Sequence, residues 1–392
     1  MKELYRIRRG LFCCFLILGF SMASWIVRTP SIRDVLNAST GEIGLILSGF
    51  SVGSMTGIFM AGNIAWRMGT PRTILSGLLL ALAGLAVLAG GTVQLSSWIA
   101  GCGLGMVGFG MAMSEVAVNI QGVQVERGLK KPVLPSLHGC YSLGTVAGAV
   151  CGLGLVGWQI PVGWHMLVTS IILLPAVFYV HASVQTSACS LDDSSTKRIS
   201  AVSLIRSDPR ILLAGLIVLS VALAEGAAND WLPLLIVDTH SVPEQMGSLI
   251  FVAFALTMTI GRFSGTAILD RYGPAIVIRT CGIIGALGIL GVIFSPNLWV
   301  AGVAVVFWAM GAALGFPVAM SAGAVGGNYP AMRVSILATV GYTAFLVGPP
   351  LLGFIGEHAG LRMSMVLVVS MLIFPIMLAR VLHKPVEPII DS

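Results

Sequence analysis

The sequence predicts an all-α membrane protein, with twelve transmembrane helices in two six-helix bundles, and three observations carry that prediction. Only 38 of the 392 residues are Lys, Arg, Asp or Glu. Apolar stretches of near-bilayer length separate most of those charges, and the basic residues recur on alternate sides of them. Charged residues make up 10% of the chain and hydrophobic ones 56%, with mean hydropathy +0.95. A soluble domain carries roughly 25% charged residues, so this chain could not cover a water-exposed surface.

A helix crossing the hydrocarbon layer needs about 20 mostly apolar residues, because each adds about 1.5 Å across a layer about 30 Å thick. That ruler places spans 1 to 12 at 11–29, 42–65, 73–91, 96–121, 136–157, 162–182, 210–231, 246–268, 275–294, 298–320, 333–355 and 362–380. Gly91 and Pro161 mark the turns that divide spans 3 from 4 and 5 from 6. The first apolar run follows Lys2, Arg6, Arg8 and Arg9 and has no small-x-small cleavage signal, so it reads as a retained helix.

Charge placement tests the count independently, since Lys and Arg gather on the cytoplasmic side. With both termini cytoplasmic, 19 of the 22 basic residues fall inside, Arg262, Arg271, Arg279 and Arg333 among them, leaving only Arg28, Arg33 and Arg362 outside. A miscounted helix would invert every later loop. The same bias accounts for the net charge of +6; contact with acidic membrane lipids explains it, and no nucleic-acid partner is implied.

The longest polar stretch, 183–209, divides an N-terminal bundle (1–182) from a C-terminal bundle (210–392) as a cytoplasmic linker. The two halves carry a faint repeat. Gly57, Arg67 and Gly69 recur as Gly261, Arg271 and Gly273 at a constant offset of 204 residues. Gly57 and Gly261 let helices approach closely, and Gly69 and Gly273 permit a tight turn. This pattern belongs to a moving joint rather than to a binding site, and internal repetition is a common way to build transporters.

Two intramembrane carboxylates stand out. An ionisable side chain inside a span is costly and faces a cavity or a partner. Glu115 in span 4 precedes Asn119 by one turn, followed by Gln121 and Gln124; Glu225 in span 7 precedes Asn229 in the same way, with Asp230 and Trp231 next. Each group either lines a polar cavity and carries a coupling proton or pairs with a neighbouring helix, and Asp230, nearer the outer surface, is either a second carrier or simply wet. His138, near Tyr141 in span 5, either titrates in the working pH range or secures its helix as a neutral hydrogen-bonding group. Trp25, near Arg28, either stacks on a solute or sits at the lipid interface, where Arg28 would snorkel. Trp308 is either a solute platform or packing.

Several function classes lack support. Glycine runs such as 101–110 lie in apolar helices and end in no Lys-Ser/Thr, so they are not phosphate loops. The cysteines at 13, 14, 102, 140, 151, 189 and 281 have neither metal-type spacing nor an outer disulfide pair and read as small apolar fillers. No nucleophile, base or metal cluster points to an enzyme, and no cofactor is expected. Gly348-Pro349-Pro350 removes two backbone donors and predicts a bend in span 11.

The repeat, the central loop and the run Asp270-Arg271-Tyr272-Gly273 resemble the major facilitator superfamily over nearly the whole chain. The runs Gly19-Phe20-Ser21-Met22-Ala23-Ser24-Trp25, Leu137-His138-Gly139-Cys140-Tyr141-Ser142-Leu143-Gly144, Glu225-Gly226-Ala227-Ala228-Asn229-Asp230-Trp231 and Gly348-Pro349-Pro350-Leu351-Leu352-Gly353 are similar to its bacterial sugar-permease-like branch, related to the fucose permeases. The resemblance implies a secondary-active carrier of a small polar solute, a sugar or sugar derivative, working by alternating access with protons as coupling ion. It implies a monomer in the bacterial inner membrane. A drug or metabolite exporter and a non-transporting receptor remain the alternatives. The family's acidic latch residue is Asp270 in the second half, whereas Trp66 holds the equivalent place in the first, which shifts gating onto contacts around Asp270.

Overall fold

The computed structural model describes residues 1–130, 133–184, 201–325 and 329–382. Lys131, Cys189, the polar run 190–198 with Lys197 and Arg198, and Lys384 lie outside the described residues. Every element is helical: α1 (Lys2–Ile26), α2 (Thr29–Leu36), α3 (Thr40–Met68), α4 (Thr70–Val93), α5 (Ser97–Leu129), α6 (Leu134–Gly157), α7 (Val162–Ile172), α8 (Leu174–Val184), α9 (Ala201–Ser207), α10 (Arg210–His240), α11 (Glu244–Ile293), α12 (Leu298–Val325), α13 (Pro330–Ala359), α14 (Leu361–Met371) and α15 (Ile373–Leu378), closed by a 3-10 turn (Ala379–Leu382). Twelve stretches among the described residues are long and apolar enough to cross a membrane. The expected all-α fold of twelve spanning helices is borne out.

Local chemistry sets the helix ends. Ser39 caps α3 reciprocally: its hydroxyl accepts from the Glu42 amide, and the Glu42 carboxylate accepts from the Ser39 amide at 2.9 Å. Ser96 caps α5 through the Ile99 amide. In the long run α11 one residue, Gly273, is non-helical, and it separates two spans.

Two boundaries differ from expectation. Span 1 ends at Ile26, and Thr29–Leu36 form the separate helix α2, whose first turn holds Pro30. Gly91 is not a turn; it lies inside α4, and a Cβ there would come within 2.5 Å of the Ala100 amide nitrogen. The glycine serves close helix packing, and the turn follows at Gln94–Leu95–Ser96. Small residues do similar work elsewhere: α5 packs along both α3 and α4, with Gly49 and Gly53 set against the carbonyls of Gly101 and Gly105. Pro349 and Pro350 lie inside α13, which runs on to Ala359.

The chain divides into two compact units. The first comprises Met1–Ser194 with Asn229–Thr259 and Pro349–Ser364; the second comprises Ser195–Ala228, Ile260–Gly348 and Met365–Ser392. The division falls within α10, α11, α13 and α14. In the first unit, α1 lies along α6 and parts of four C-terminal-half helices join the N-terminal half.

Candidate functional site

In the second unit, Glu225 sits at the middle of α10, fifteen residues from each end, or about 22 Å along the axis. Its Oε1 accepts from Arg262 Nη2 at 2.6 Å, with the side chains 13% and 32% exposed. Arg262 lies nine residues before Arg271, about 13 Å along α11, inside the span Glu244–Gly265. Charge bias alone places it with the cytoplasmic loops. An arginine at that depth needs a carboxylate, and Glu225 supplies it. Beside the pair, Trp308 is fully buried and its Nε1 donates to the Ala224 carbonyl at 3.0 Å. In this structure Trp308 packs against α10. Gly226 faces Phe345, which meets Phe316 edge-on at 6.3 Å.

Asn229 and Asp230 continue α10 but belong to the first unit. Asp230 is only 9% exposed, so it is not a wet surface carboxylate.

In the first unit, Glu115 and Asn119 are half-buried on α5. Asn119 Oδ1 is buried without a hydrogen-bond partner among the described residues. Gln121 departs from this face. It is fully buried, and its Nε2 donates to Thr70 Oγ1 at 2.9 Å, bracing the start of α4. Six residues past Glu115 a helix has turned to another side, so Gln121 serves packing. On α6, His138 is exposed and Tyr141 half-buried; both rings meet Phe15 of α1 edge-on, at 5.1 and 6.3 Å.

The far end of α1 carries a second cluster, legible in the sequence only as stray outer arginines. Arg33 Nη1 donates to both carboxylate oxygens of Asp238, at 2.6 and 2.8 Å. Arg28, 3% exposed, donates from Nη2 to the Ile160 carbonyl at 2.7 Å, and its Nε lies 3.6 Å from Glu244 Oε1. Burial lowers the Arg28 pKa, and the Glu244 charge opposes that shift. Ser31 donates to Glu244, Ser248 Oγ donates to the Val27 carbonyl at 3.1 Å, and the Gly41 amide donates to Glu357 at 2.9 Å. These contacts join α1 to α3 with segments more than 200 residues away. Trp25, fully buried, packs against Phe50 at 5.4 Å between ring centroids. Both Trp25 and Arg28 are buried inside the protein.

The repeated motif has matching backbone geometry. Gly69 (φ 81°, ψ 152°) and Gly273 (φ 72°, ψ 163°) occupy a region essentially restricted to glycine. A Cβ on Gly57 would come within 2.7 Å of the Phe109 carbonyl oxygen, and one on Gly261 within 2.6 Å of Ala313 Cβ. Arg67 and Trp66 are exposed, the Arg271 guanidinium lies 5.3 Å from the ring centroid of its neighbour Tyr272, and Asp270 is exposed with no ion pair among the described residues.

The family model of the Major Facilitator Superfamily matches residues 10–327 and 232–390, and the chain belongs to that family. It is a multi-pass membrane transporter of a small solute, not an enzyme. An uncharacterized transporter, y4wD of Sinorhizobium fredii, is 27% identical over 376 residues, covering 94% of this chain and 96% of the relative. Among solved structures, a mutant form of the nucleoside transporter NupG is similar with a TM-score of 0.78 at 11% identity, covering 96% of this chain and 100% of that one. A mutant form of the Escherichia coli fucose:proton symporter FucP gives 0.68 at 17%, covering 96% and 98%. These likenesses extend over the whole twelve-helix fold.

Proposed function

We propose that this transporter moves a small hydroxyl-bearing solute, a sugar or sugar derivative, by proton-coupled alternating access. The observation that carries the reading is the Glu225–Arg262 pair in the middle of a span. A mid-membrane carboxylate whose partner is a cation has two stable conditions: ionised and paired, or protonated and released. Proton arrival frees Arg262 and proton loss recaptures it, so the pair links a proton to a rearrangement of α10 against α11. Glu115 with Asn119, and Asn229 with Asp230, are the polar groups assigned to solute and proton in this scheme, with His138 and Tyr141 beside them. The fucose:proton symporter, whose printed name pairs a sugar with a proton, shares the fold and supports the assignment of both. The basic residues favour a bacterial inner-membrane location with both termini cytoplasmic, and the carrier is assigned as a monomer.

Uptake of fucose, xylose and uridine into proteoliposomes, with and without an imposed proton gradient, tests the reading. Accumulation should collapse with the gradient and be lost in Glu225→Gln, while solute exchange without a gradient persists. Normal gradient-driven accumulation in both Glu115→Gln and Glu225→Gln would remove the carboxylates from the coupling role.

A further inference from the structure

Glu225 and Arg262 meet because α10 and α11 present them to each other, and a third helix, α12, holds the residues next to both. On α10 the carbonyl of Ala224, the residue before Glu225, accepts from Trp308 Nε1 at 3.0 Å. On α11 the residue before Arg262, Gly261, lies so close to α12 that a Cβ there would be 2.6 Å from Ala313 Cβ. Trp308 and Ala313 are five residues apart on α12, or about 7.5 Å along its axis. All of these residues belong to the second unit. A helix that contributes neither charge therefore braces both partners of the pair.

Trp308 is built to fix a distance. Its side chain is fully buried, and its backbone lies against the later part of α11, where a Cβ on Gly288 would come within 2.7 Å of Trp308 Cα. A backbone carbonyl has two lone pairs and a helix uses one of them, so the indole can bind Ala224 without breaking α10. The same two helices meet again where a Cβ on Gly315 would be 3.1 Å from Val221 Cβ. On the other side of Glu225, a Cβ on Gly226 would lie 3.0 Å from Phe345 Cδ1 of α13. Residue 225 is thus held between an indole hydrogen bond and an aromatic contact. The elements that grip it bring little charge of their own: Leu298–Val325 contains no ionisable side chain, and on α13 Arg333 pairs with Asp208 while Tyr342 lies three residues before Phe345. Arg262 supplies the charge that Glu225 meets, and the fit of those two groups depends on where α12 holds their helices.

We propose that Trp308 is a positioning residue for the Glu225–Arg262 pair: its indole N–H fixes the α10 backbone at Ala224, so that the carboxylate meets the guanidinium when ionised and returns to it after each proton has left. Trp308 acts here through a backbone carbonyl and not as a platform for solute. This inference rests on the reading of the pair as the coupling element and adds the group that sets the pair's geometry.

The test compares Trp308→Phe, which keeps an apolar ring and removes the N–H, with Val305→Ala, which removes buried packing three residues earlier on α12 and leaves the hydrogen bond in place. Thermal unfolding in detergent, followed by circular dichroism, is measured for each variant alone and combined with Glu225→Gln. The fall in Tm caused by Trp308→Phe should be smaller in the Glu225→Gln background than in wild type, because part of it comes from the loosened pair, whereas the fall caused by Val305→Ala should be equal in both. An equal fall for Trp308→Phe in the two backgrounds would overturn the proposal. If Trp308→Phe does not fold, Gly261→Ala carries the same cycle from the other side, since its methyl would press on Ala313 beside Arg262; an equal fall in both backgrounds would again overturn it. The second measurement is the pH dependence of fucose, xylose and uridine accumulation in proteoliposomes. The pH of half-maximal accumulation should move by up to about one unit in Trp308→Phe, the ceiling set by one net hydrogen bond, and should stay at the wild-type value in Val305→Ala. A wild-type midpoint in Trp308→Phe would overturn the positioning role. If the wild-type protein accumulates none of these solutes against the gradient, the coupling reading fails, and the unfolding cycle still decides whether Trp308 holds the pair.

Discussion

Replacing Glu225 by Gln separates the energetic role of the Glu225–Arg262 pair from its coupling role. At 2.6 Å, two unit charges attract by about 6 kcal/mol in an effective dielectric of about 20. Desolvation opposes most of that, and water reaches Arg262, which is 32% exposed. A net coupling energy of about 1–3 kcal/mol remains between the two side chains. Glu225→Gln removes the carboxylate that pairs with Arg262 inside the membrane, so the single variant should unfold at lower temperature. Arg262→Gln should do the same by stranding the glutamate. The double variant has no charge left to strand and should recover about 1–3 kcal/mol relative to the sum of the singles. Tryptophan fluorescence of thermal unfolding in detergent reads the stability cycle, and proteoliposome uptake under an inward proton gradient reads coupling. Stability should return in the double variant while accumulation stays lost, because a glutamine carries no proton. Strictly additive stability losses would show that the pair does not interact, and normal accumulation in Glu225→Gln would refute the coupling argument.

Three further outcomes follow from the geometry. Reversing one charge of the Arg33–Asp238 pair, which is 20% and 33% exposed, should shift the closed-to-open balance at that end about 2- to 5-fold. Labelling of a cysteine introduced beside the pair should rise in Arg33→Asp and return towards wild type in the Arg33→Asp, Asp238→Arg double variant; no recovery would mean that charge pairing is not what holds the end shut. Gly57→Ala should cost about 1–3 kcal/mol, because its Cβ would lie 2.7 Å from the Phe109 carbonyl oxygen, whereas Gly62→Ala, with nothing within 4 Å, should be neutral or stabilising by thermal unfolding. Gly69→Ala and Gly273→Ala should each lose about 1–3 kcal/mol through backbone strain alone; a wild-type Tm in both would contradict the conformations seen at these turns.

The fold was legible because a membrane span is a local property: twenty apolar residues announce themselves without knowledge of their neighbours. The errors arose where a residue's role depends on what it touches. Gly91 carried a turn's composition but packs within α4 against Ala100. Gln121 looked like a continuation of the Glu115 face, yet bonds Thr70. Arg262 lies inside the expected span 246–268, and that depth is the sequence signal for an intramembrane partner, which the overall charge bias does not carry. Glu225 was identified as a candidate, but its partner lies 37 residues away on another helix. The outer arginines were the harder case, since nothing in the neighbourhood of Arg28 or Arg33 points to Glu244 or Asp238.

The internal repeat separates what the turn after each motif helix requires mechanically from what it requires chemically. At an offset of 204 residues, Gly69 and Gly273 share a backbone conformation closed to other residues, and each is followed within two residues by a proline, Pro71 or Pro274. The position three residues earlier holds a bulky aromatic in one half, Trp66, and a carboxylate in the other, Asp270. Geometry is the same in both halves while charge is not, so the tight turn cannot depend on an acidic latch at that place. In the first half the turn instead draws support from Gln121, which bonds the residue immediately after Gly69. Gln121→Leu should therefore lower Tm through the loosened start of α4, with proton dependence of uptake unchanged, because the side chain is fully buried and distant in role from the Glu225–Arg262 pair. A Gln121→Leu protein with wild-type Tm but altered proton dependence would assign that glutamine to the transport path rather than to the joint.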